Sequence, residues 1–418
     1  MLKNPSVYII GAGASGLAAA RVLEDNGYSA TVLEAEKKIG GRLQTDIIEG
    51  YALDHGFQVL LTDYPAVKRY VDLASLNLTY FQPGAVIFRG GRQSLLGDPL
   101  RKPSMLLKTL LSPAASMKDK FLIYRLTRHL KAKTIDEIFD TPEISTLEYL
   151  KAYGFSPVII ENFFMPFFTG IYLEDKLSTS SRMFEFIYKM FSQGKAAVPA
   201  NGINDVAQAL ARPLTRSVIR TSTTVVKIEQ DSRRIHLESG EVLEADYIIL
   251  ATNSNKVLSG YNTDAILWKK CTTLYFKAAH PAGNQQLIGL IPGPDAIINT
   301  LSYAQRVATQ KDNEVMLSVT IVKKHALENK ELIEKVQAEL LEHCGFTNLR
   351  FVKLYHIPKA LPDLKDVSYR PKNLIVSEGI FLAGDMLANG SLNAALLSGE
   401  DAAKAVIEQH KSVVSQKR

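Results

Sequence analysis

Apolar and polar positions change their period several times along the chain, and each change predicts an element. The first apolar run, "VYII" from Val7, reads as a short strand buried on both faces. A glycine-punctuated turn follows, then "LAAARVLEDNG", whose alanines and leucines recur at helical spacing and stop at Gly27. "SATVLE" is a second short strand. Far downstream, residues 218–252 alternate as short strands around a Ser-Gly turn at 239–240 and end in the apolar strand "YIILA". Near the C-terminus, residues 380–383 form another buried strand that runs into Gly384 and Asp385, then a loop, then a helix with small residues on its face. Two insertions separate these pieces, roughly residues 60–200 and 265–370. In the first, "MLLKTLLSP" and "KFLIYRLTRHL" place leucines and basic residues at helical spacing. Ten of the chain's thirty-five aromatic residues gather between residues 155 and 191, where they line an apolar pocket or fill a helical core.

Composition refines this picture in a few places. With 418 residues, 46% hydrophobic and 22% charged, the chain has enough apolar material for a large core and enough length for two domains. No uncharged apolar run of about eighteen residues appears, so no spanning helix is predicted. Because the first strand begins so early, no cleavable secretory signal is expected. Cys271 and Cys344 stand far apart without a partner motif, and the eight histidines lack H-x-x-x-H spacing. A disulfide framework and a metal site are therefore not expected, and a reducing cytoplasm is the expected compartment. Net charge is +6, but residues 101–133 hold nine basic residues against one acid, Asp119, which leaves the rest of the chain at −2. That patch lies either against anionic lipid, as a peripheral membrane contact, or on the solvated face of a lid helix. No fold signal for nucleic acid accompanies it.

The turn after the first strand carries the chemistry. Gly11, Gly13 and Gly16 stand in G-x-G-x-x-G spacing around Ala14 and Ser15, between a strand and a helix. The first glycine permits a tight turn, the second lets backbone N–H groups reach a pyrophosphate, and the third lets helix pack on strand. Glu34 closes the second strand, where a carboxylate accepts hydrogen bonds from ribose hydroxyls and repels a 2′-phosphate. This order of elements predicts a dinucleotide site that disfavours NADP.

The continuation after Glu34, "AEKKIGGRLQT", resembles the flavin-containing amine oxidoreductase superfamily, which includes amine oxidases, protoporphyrinogen oxidases and phytoene desaturases. The resemblance implies FAD, with Ala35, Gly40, Gly41 and Leu43 along the pyrophosphate and ribityl chain and Arg42 supplying positive charge to the phosphates. It extends to a V-x-x-I segment, Val225 with Ile228, at the adenine edge, and to Ala251 and Thr252 at the end of the following strand. It ends in "GIFLAGDMLANGSLNAALLSGEDAAKAV", where Gly384 and Asp385 are the implied ribityl ligands and Gly390, Ser391, Leu392 and Asn393 lie near the ring. Ala394 departs from the family's common glycine, which implies a slightly altered helix start. Neither cysteine lies in this segment, so the implied FAD is non-covalent. The implied fold class is α/β: a three-layer Rossmann-type FAD-binding domain from residues 1–60, 200–265 and 370–418, with an inserted α+β substrate-binding domain from 61–199 and 266–369. A P-x-x-G turn from Pro199 to Gly202 is implied to return the chain to the flavin.

The resemblance also frames the reaction. Ser391 occupies the place where amine oxidases of the family set an aromatic ring, which favours C–C or ring dehydrogenation of a small apolar organic substrate, with O2 or a quinone as acceptor. The alternatives are a redox-neutral isomerase using reduced FAD, as in carotenoid isomerases of similar sequence, a true amine oxidase, and a flavin-bound protein without turnover. Two catalytic candidates stand out. Lys270 is placed on a strand facing the flavin, with Lys269 opposite by strand alternation, unless it is a solvated strand-end lysine. His55, just after the first nucleotide unit, is near the ring or is a structural histidine.

Overall fold

Five of the apolar runs assemble into one parallel sheet. In the computed structural model, which describes residues 5–99, 101–252, 257–258, 266–279, 285–307 and 314–416, the order is Val218–Arg220, Ala30–Leu33, Val7–Ile10, Tyr247–Leu250 and Ile380–Leu382, with Ile375–Ser377 as an antiparallel edge. Both faces of the central strands are covered, which is why Val7–Ile10, Tyr247–Leu250 and Ile380–Leu382 read as unbroken apolar runs. Val7, Ile9, Val32, Ile249 and Phe381 face the helices Ala14–Asp25 and Leu392–Gln416. Ile10, Leu33, Ile248, Leu250 and Leu382 face the antiparallel meander Val225–Glu229, Arg234–Leu237 and Val242–Glu244. The result is three layers, and each fully buried Ile or Leu contributes roughly 1.5–3 kcal/mol. The two helices cross at Gly399, where a Cβ would sit 2.0 Å from the Ser15 carbonyl oxygen. Only a residue without a side chain permits that crossing.

The insertions build the second half. A seven-stranded sheet runs Arg350–Pro362, Trp268–Ala278, Val315–Ile321, Ile298–Tyr303, Ile288–Leu290, Gly84–Arg89 and Arg92–Gly97. Both insertions contribute, through the parallel pairing of Ile288–Leu290 with Gly84–Arg89. Helix Asn329–Cys344 covers one face through Leu332, Val336 and Leu340. The helical remainder of the first insertion packs around Phe164, Phe168, Phe184 and Phe186, all buried. Most of the aromatic cluster is thus core, and Phe167, Tyr172 and Phe191 are the rings of it that reach the central cavity.

At the seam between the halves, elements just before and after residue 60 pair with both insertions. The hairpin Thr45–Ile48 with Tyr51–Asp54 pairs with Gln305–Arg306 of the second insertion, and Leu60–Leu61 pairs with Ala196–Pro199 of the first. Chain neighbours of the nucleotide unit are therefore strand partners of the insertions. The Pro199–Gly202 turn is stapled to this hairpin. Thr45 Oγ1 donates to Asp54 Oδ1 at 2.6 Å, and the Ile203 backbone N–H donates to the same oxygen at 2.8 Å. Gly202 has φ +91°, and a Cβ there would fall 2.6 Å from Asp54 Oδ1.

Burial raises the Asp54 carboxyl from its ordinary 3.8 to about 6, with Asp205 adding to the rise and the Thr45 and Ile203 hydrogen bonds opposing it. A folded-state value above the unfolded one means that stability is full at low pH and declines as pH rises through that window. Asp54→Asn keeps the Oδ1 acceptor. It is expected to raise the melting temperature above pH 6 and to leave it unchanged near pH 4; equal effects at both pH values would contradict this account.

Candidate cofactor and substrate site

At the carboxyl ends of the parallel strands, the two halves enclose a cavity of about 980 Å³. Its nucleotide end is made of backbone. The Gly11 N–H donates to the Leu33 carbonyl and the Gly40 N–H to the Ala12 carbonyl, both at 2.8 Å, so the two glycine loops lie side by side. A Cβ on Gly41, itself at φ +58°, would come 3.2 Å from the Gly13 Cα. Gly11, Gly13, Ala14 and Ser15 line this end; Gly16 does not. A Cβ on Gly16 would lie 2.0 Å from the Gly11 carbonyl oxygen, so this residue sets helix-on-strand packing. Helix Ala14–Asp25 has no side-chain cap at Gly13 and no acid in its first turn. Its uncapped N–H groups and positive dipole end therefore face the cavity, a cradle for phosphate. Glu34, lining the same end with Ala35, accepts from the Ala12 N–H at 2.7 Å and the Glu36 N–H at 2.9 Å. Each carboxylate oxygen has a second lone pair for a ribose hydroxyl.

A charged pair joins the first and last segments. The Arg42 guanidinium donates to the buried Asp385 carboxylate and, at 3.1 Å, to the Ala360 carbonyl. It also lies 5.4 Å over the Trp268 ring. Burial would lower the Arg42 pKa, but the Asp385 charge and hydrogen bond outweigh it and raise the value, so the guanidinium keeps its charge. Gly40, Leu43, Val225, Ala251, Thr252 and Gly384 also line the cavity, which brings all three nucleotide segments to one wall. Ser391 and Leu392 line it at the start of the C-terminal helix. The Ser391 hydroxyl donates to Asn389 Oδ1 at 2.7 Å and accepts from the Ala394 N–H at 3.1 Å, so it caps that helix. Asn393 is fully buried and turned away from the cavity; its Oδ1 accepts from the Ala66 N–H at 3.0 Å and fixes the helix Pro65–Tyr70.

The two lysines are placed the opposite way from the sequence expectation. Lys270 is exposed and absent from the cavity wall, whereas Lys269 lines it together with Cys271. Strand alternation does separate the two lysines, but with the other phase: Lys269 and Cys271 share the cavity side, and the register shift opposite them lies in the partner strand, where their partners are Leu361 and Ile357. Lys269 Nζ lies 3.2 Å from Thr179 Oγ1 and 3.6 Å from Asp363. His55 does line the cavity. Its Nε2 lies 2.9 Å from Asp46 Oδ2, which also accepts from the Tyr355 hydroxyl at 2.8 Å, and its ring stacks on Tyr355 at 4.3 Å. Burial alone would raise the Asp46 carboxyl, yet the His55 and Tyr355 hydrogen bonds and the nearby positive charge hold it below its usual value.

Trp268, Tyr64, His356, Thr300 and Thr320 also reach the cavity, and sequence reasoning passed over them. No motif marks them, since they come from strands and helices whose facing is fixed by pairing across the insertions. The chain's single tryptophan was the one available signal. Its indole N–H is buried without a hydrogen-bond partner among the described residues, and so are the hydroxyls of Thr300 and Thr320. Among the described residues, no cluster of His, Cys, Asp and Glu is placed to hold a metal ion.

A family model described as flavin containing amine oxidoreductase matches residues 14–407. The chain belongs to this family. An L-amino-acid oxidase of Protobothrops flavoviridis is 25% identical over 281 residues, 60% of this chain and 53% of that protein. The chain thus spans about half the length of the curated relatives it matches. Among solved structures, a protein described as a protoporphyrinogen oxidase from Exiguobacterium sp. 255-15 superposes with a TM-score of 0.71 at 18% identity, covering 97% of this chain and 99% of that one. Putrescine oxidase bound to putrescine gives 0.70 at 17% identity with the same two coverages. These likenesses establish an α/β fold with an FAD-binding Rossmann-type domain and a substrate domain. The residues present fit FAD: a side-chain-free glycine cradle, an uncapped helix N-terminus, the Glu34 carboxylate and the buried Trp268 N–H, unpaired among the described residues, share one cavity.

Titrating FAD into the apoprotein is expected to quench Trp268 emission, and Trp268→Phe to abolish that signal while flavin is retained. Arg42→Ala and Asp385→Ala are each expected to lower the flavin content of the purified protein. Full flavin content in both variants would remove these residues from the site.

Proposed function

We propose that this chain is an FAD-dependent oxidoreductase that removes a hydride equivalent from a neutral, apolar organic substrate, a desaturase or dehydrogenase rather than an amine oxidase with an aromatic cage. The observation that carries this reading is the division of charge along the cavity. Among the described lining residues, the carboxylates are Glu34 and Asp385, both on the dinucleotide wall. The other charged or ionisable nitrogen groups of the lining are Arg42, Lys269, Lys359, His55 and His356, and its apolar part includes Phe167, Ile171, Met183, Ile187, Phe191 and Ile288. An ammonium group entering that region meets no counter-charge, and a desolvated, unpaired ion is costly. Ser391, where the family's amine oxidases set a ring, is committed to capping a helix.

FAD bound in this site supplies the two-electron acceptor, and O2 or a quinone completes turnover. The protein's own part is selection and positioning. The apolar wall excludes water from the reacting end and orders an apolar substrate by shape. The buried Thr300 and Thr320 hydroxyls favour a neutral polar substituent, such as a hydroxyl or carbonyl, over a charged one. His55 is the residue we assign to proton handling, because its imidazole lines the cavity and is held in place by the Asp46 carboxylate and the stacked Tyr355 ring.

Anaerobic mixing of the flavin-loaded protein with a polyene, a porphyrinogen, a primary amine and an L-amino acid tests the assignment. Bleaching of the flavin by an apolar compound is expected; bleaching by the amine or amino acid alone would overturn it. Product formed without net electron transfer would identify an isomerase instead. With a bleaching substrate in hand, His55→Gln is expected to slow flavin reduction by about 10²-fold at unchanged flavin content.

A further inference from the structure

We propose that the corner formed by helices Leu106–Leu111 and Met117–Ala132 is a docking surface for an anionic lipid membrane. Large apolar side chains crowd there in solvent. Leu107 is 67% exposed, Leu111 74%, Met117 63% and Phe121 61%, with Leu106, Leu110 and Tyr124 also exposed. Seven of the nineteen large apolar residues exposed among the described residues fall within residues 106–124, so this is one patch and not scatter. On the second helix, Met117, Phe121 and Tyr124 follow at i, i+4 and i+7 and share a face.

The patch is built rigidly. Lys120 Nζ donates to the Leu110 carbonyl at 2.8 Å and the Ser112 carbonyl at 3.1 Å, closing the end of the first helix against the second. Ser116 and Asp119 form a reciprocal cap at the start of the second helix, and Asp119 also accepts from the Ser156 backbone and hydroxyl. The one acid of this basic stretch is therefore turned inward and buried. Lys108, Lys118, Arg125, Arg128 and Lys131 are exposed, and among the described residues none has an ion-pair partner.

An apolar tip rimmed by cations without ion-pair partners matches an interfacial anchor, in which leucine and phenylalanine enter the acyl boundary and lysines meet anionic headgroups. Charge decides the occupant. A second copy of the chain would bring the same cations face to face, whereas an anionic bilayer neutralises them. No helix among the described residues is long and apolar enough to cross a membrane, so the contact is peripheral.

The surface also lies one helix away from the cavity. Helix Ser181–Gln193 sends Met183, Ile187 and Phe191 to the cavity wall. Its Tyr188 hydroxyl lies 3.2 Å from Thr127 Oγ1 on the docking helix, and Lys189 Nζ donates to the Leu130 and Lys131 carbonyls. Loading of a bilayer-dissolved substrate through this layer rests on the apolar-substrate reading; binding to the lipid surface does not.

Flotation of the full flavin-loaded chain with vesicles separates the two. Binding to vesicles containing phosphatidylglycerol is expected, with little to pure phosphatidylcholine and a loss at high salt. Leu107→Ser/Leu111→Ser/Phe121→Ser and, separately, Lys108→Glu/Lys118→Glu are each expected to reduce the floated fraction at least about tenfold, since both apolar and basic contacts contribute to anchoring, with flavin content unchanged. Absence of flotation with anionic vesicles, or undiminished flotation of both variants, overturns the proposal. A wild-type dimer that both variants dissociate, without vesicle binding, assigns the patch to a second copy and likewise overturns it.

Discussion

Close approach of backbone to backbone, at positions without a side chain, is the constraint on which this structure depends. Gly16 lets the first helix rest on the turn at Gly11, and Gly399 lets the last helix cross the first at Ser15. Gly41 lies against Gly13, and Gly202 against Thr45 and Asp54. Most of these contacts join stretches distant in sequence, and a methyl group at Gly16, Gly399 or Gly202 would overlap atoms at 2.6 Å or less. Close-packed interiors do not absorb such overlap. Of these glycines, Gly11, Gly13 and Gly41 also line the cavity, so at these positions close packing and an open backbone coincide.

Polarity along the cavity follows from which elements form each wall. The dinucleotide wall consists of strand ends, turns and helix N-termini, where unpaired backbone donors and the Arg42–Asp385 pair are at hand. The opposite wall consists of helix and strand faces that also belong to a core, and it inherits that core's side chains. The Thr300 and Thr320 hydroxyls interrupt it because they sit on strands whose neighbouring positions fill the second core. The distribution of charge along the cavity thus arises from architecture.

Much of the nucleotide unit is legible in the chain itself. Strand, glycines, helix and acid in that order define it, because period and glycine placement are local properties. The three segments that the family resemblance implies for the cofactor come together in the structure, where Gly11, Glu34, Arg42, Val225, Thr252, Asp385 and Ser391 line one cavity. Lys270 and Asn393 show where this reasoning stops. Alternation separates neighbouring strand residues but does not say which faces the cavity; Lys269 and Cys271 face it, and Lys270 is exposed. Asn393 follows Leu392 on the C-terminal helix, where one step turns a side chain by about 100°, from the cavity toward Ala66.

By itself, then, the sequence determined the local units: the parallel strands, the helices that cover them, the glycine turns and the family to which they belong. Hydrophobic period and backbone permissiveness are encoded within a few residues of where they act. Tertiary structure alone decided the rest. It set the seam that pairs residues 45–61 with both insertions, the choice of Lys269 over Lys270, and the enlistment of Trp268, Tyr64 and Thr300 in the wall. It also decided that Leu107, Leu111 and Phe121 remain in solvent while Phe164, Phe168, Phe184 and Phe186 are buried. These outcomes depend on which apolar face finds a partner, and that is settled by contacts between segments far apart in the chain.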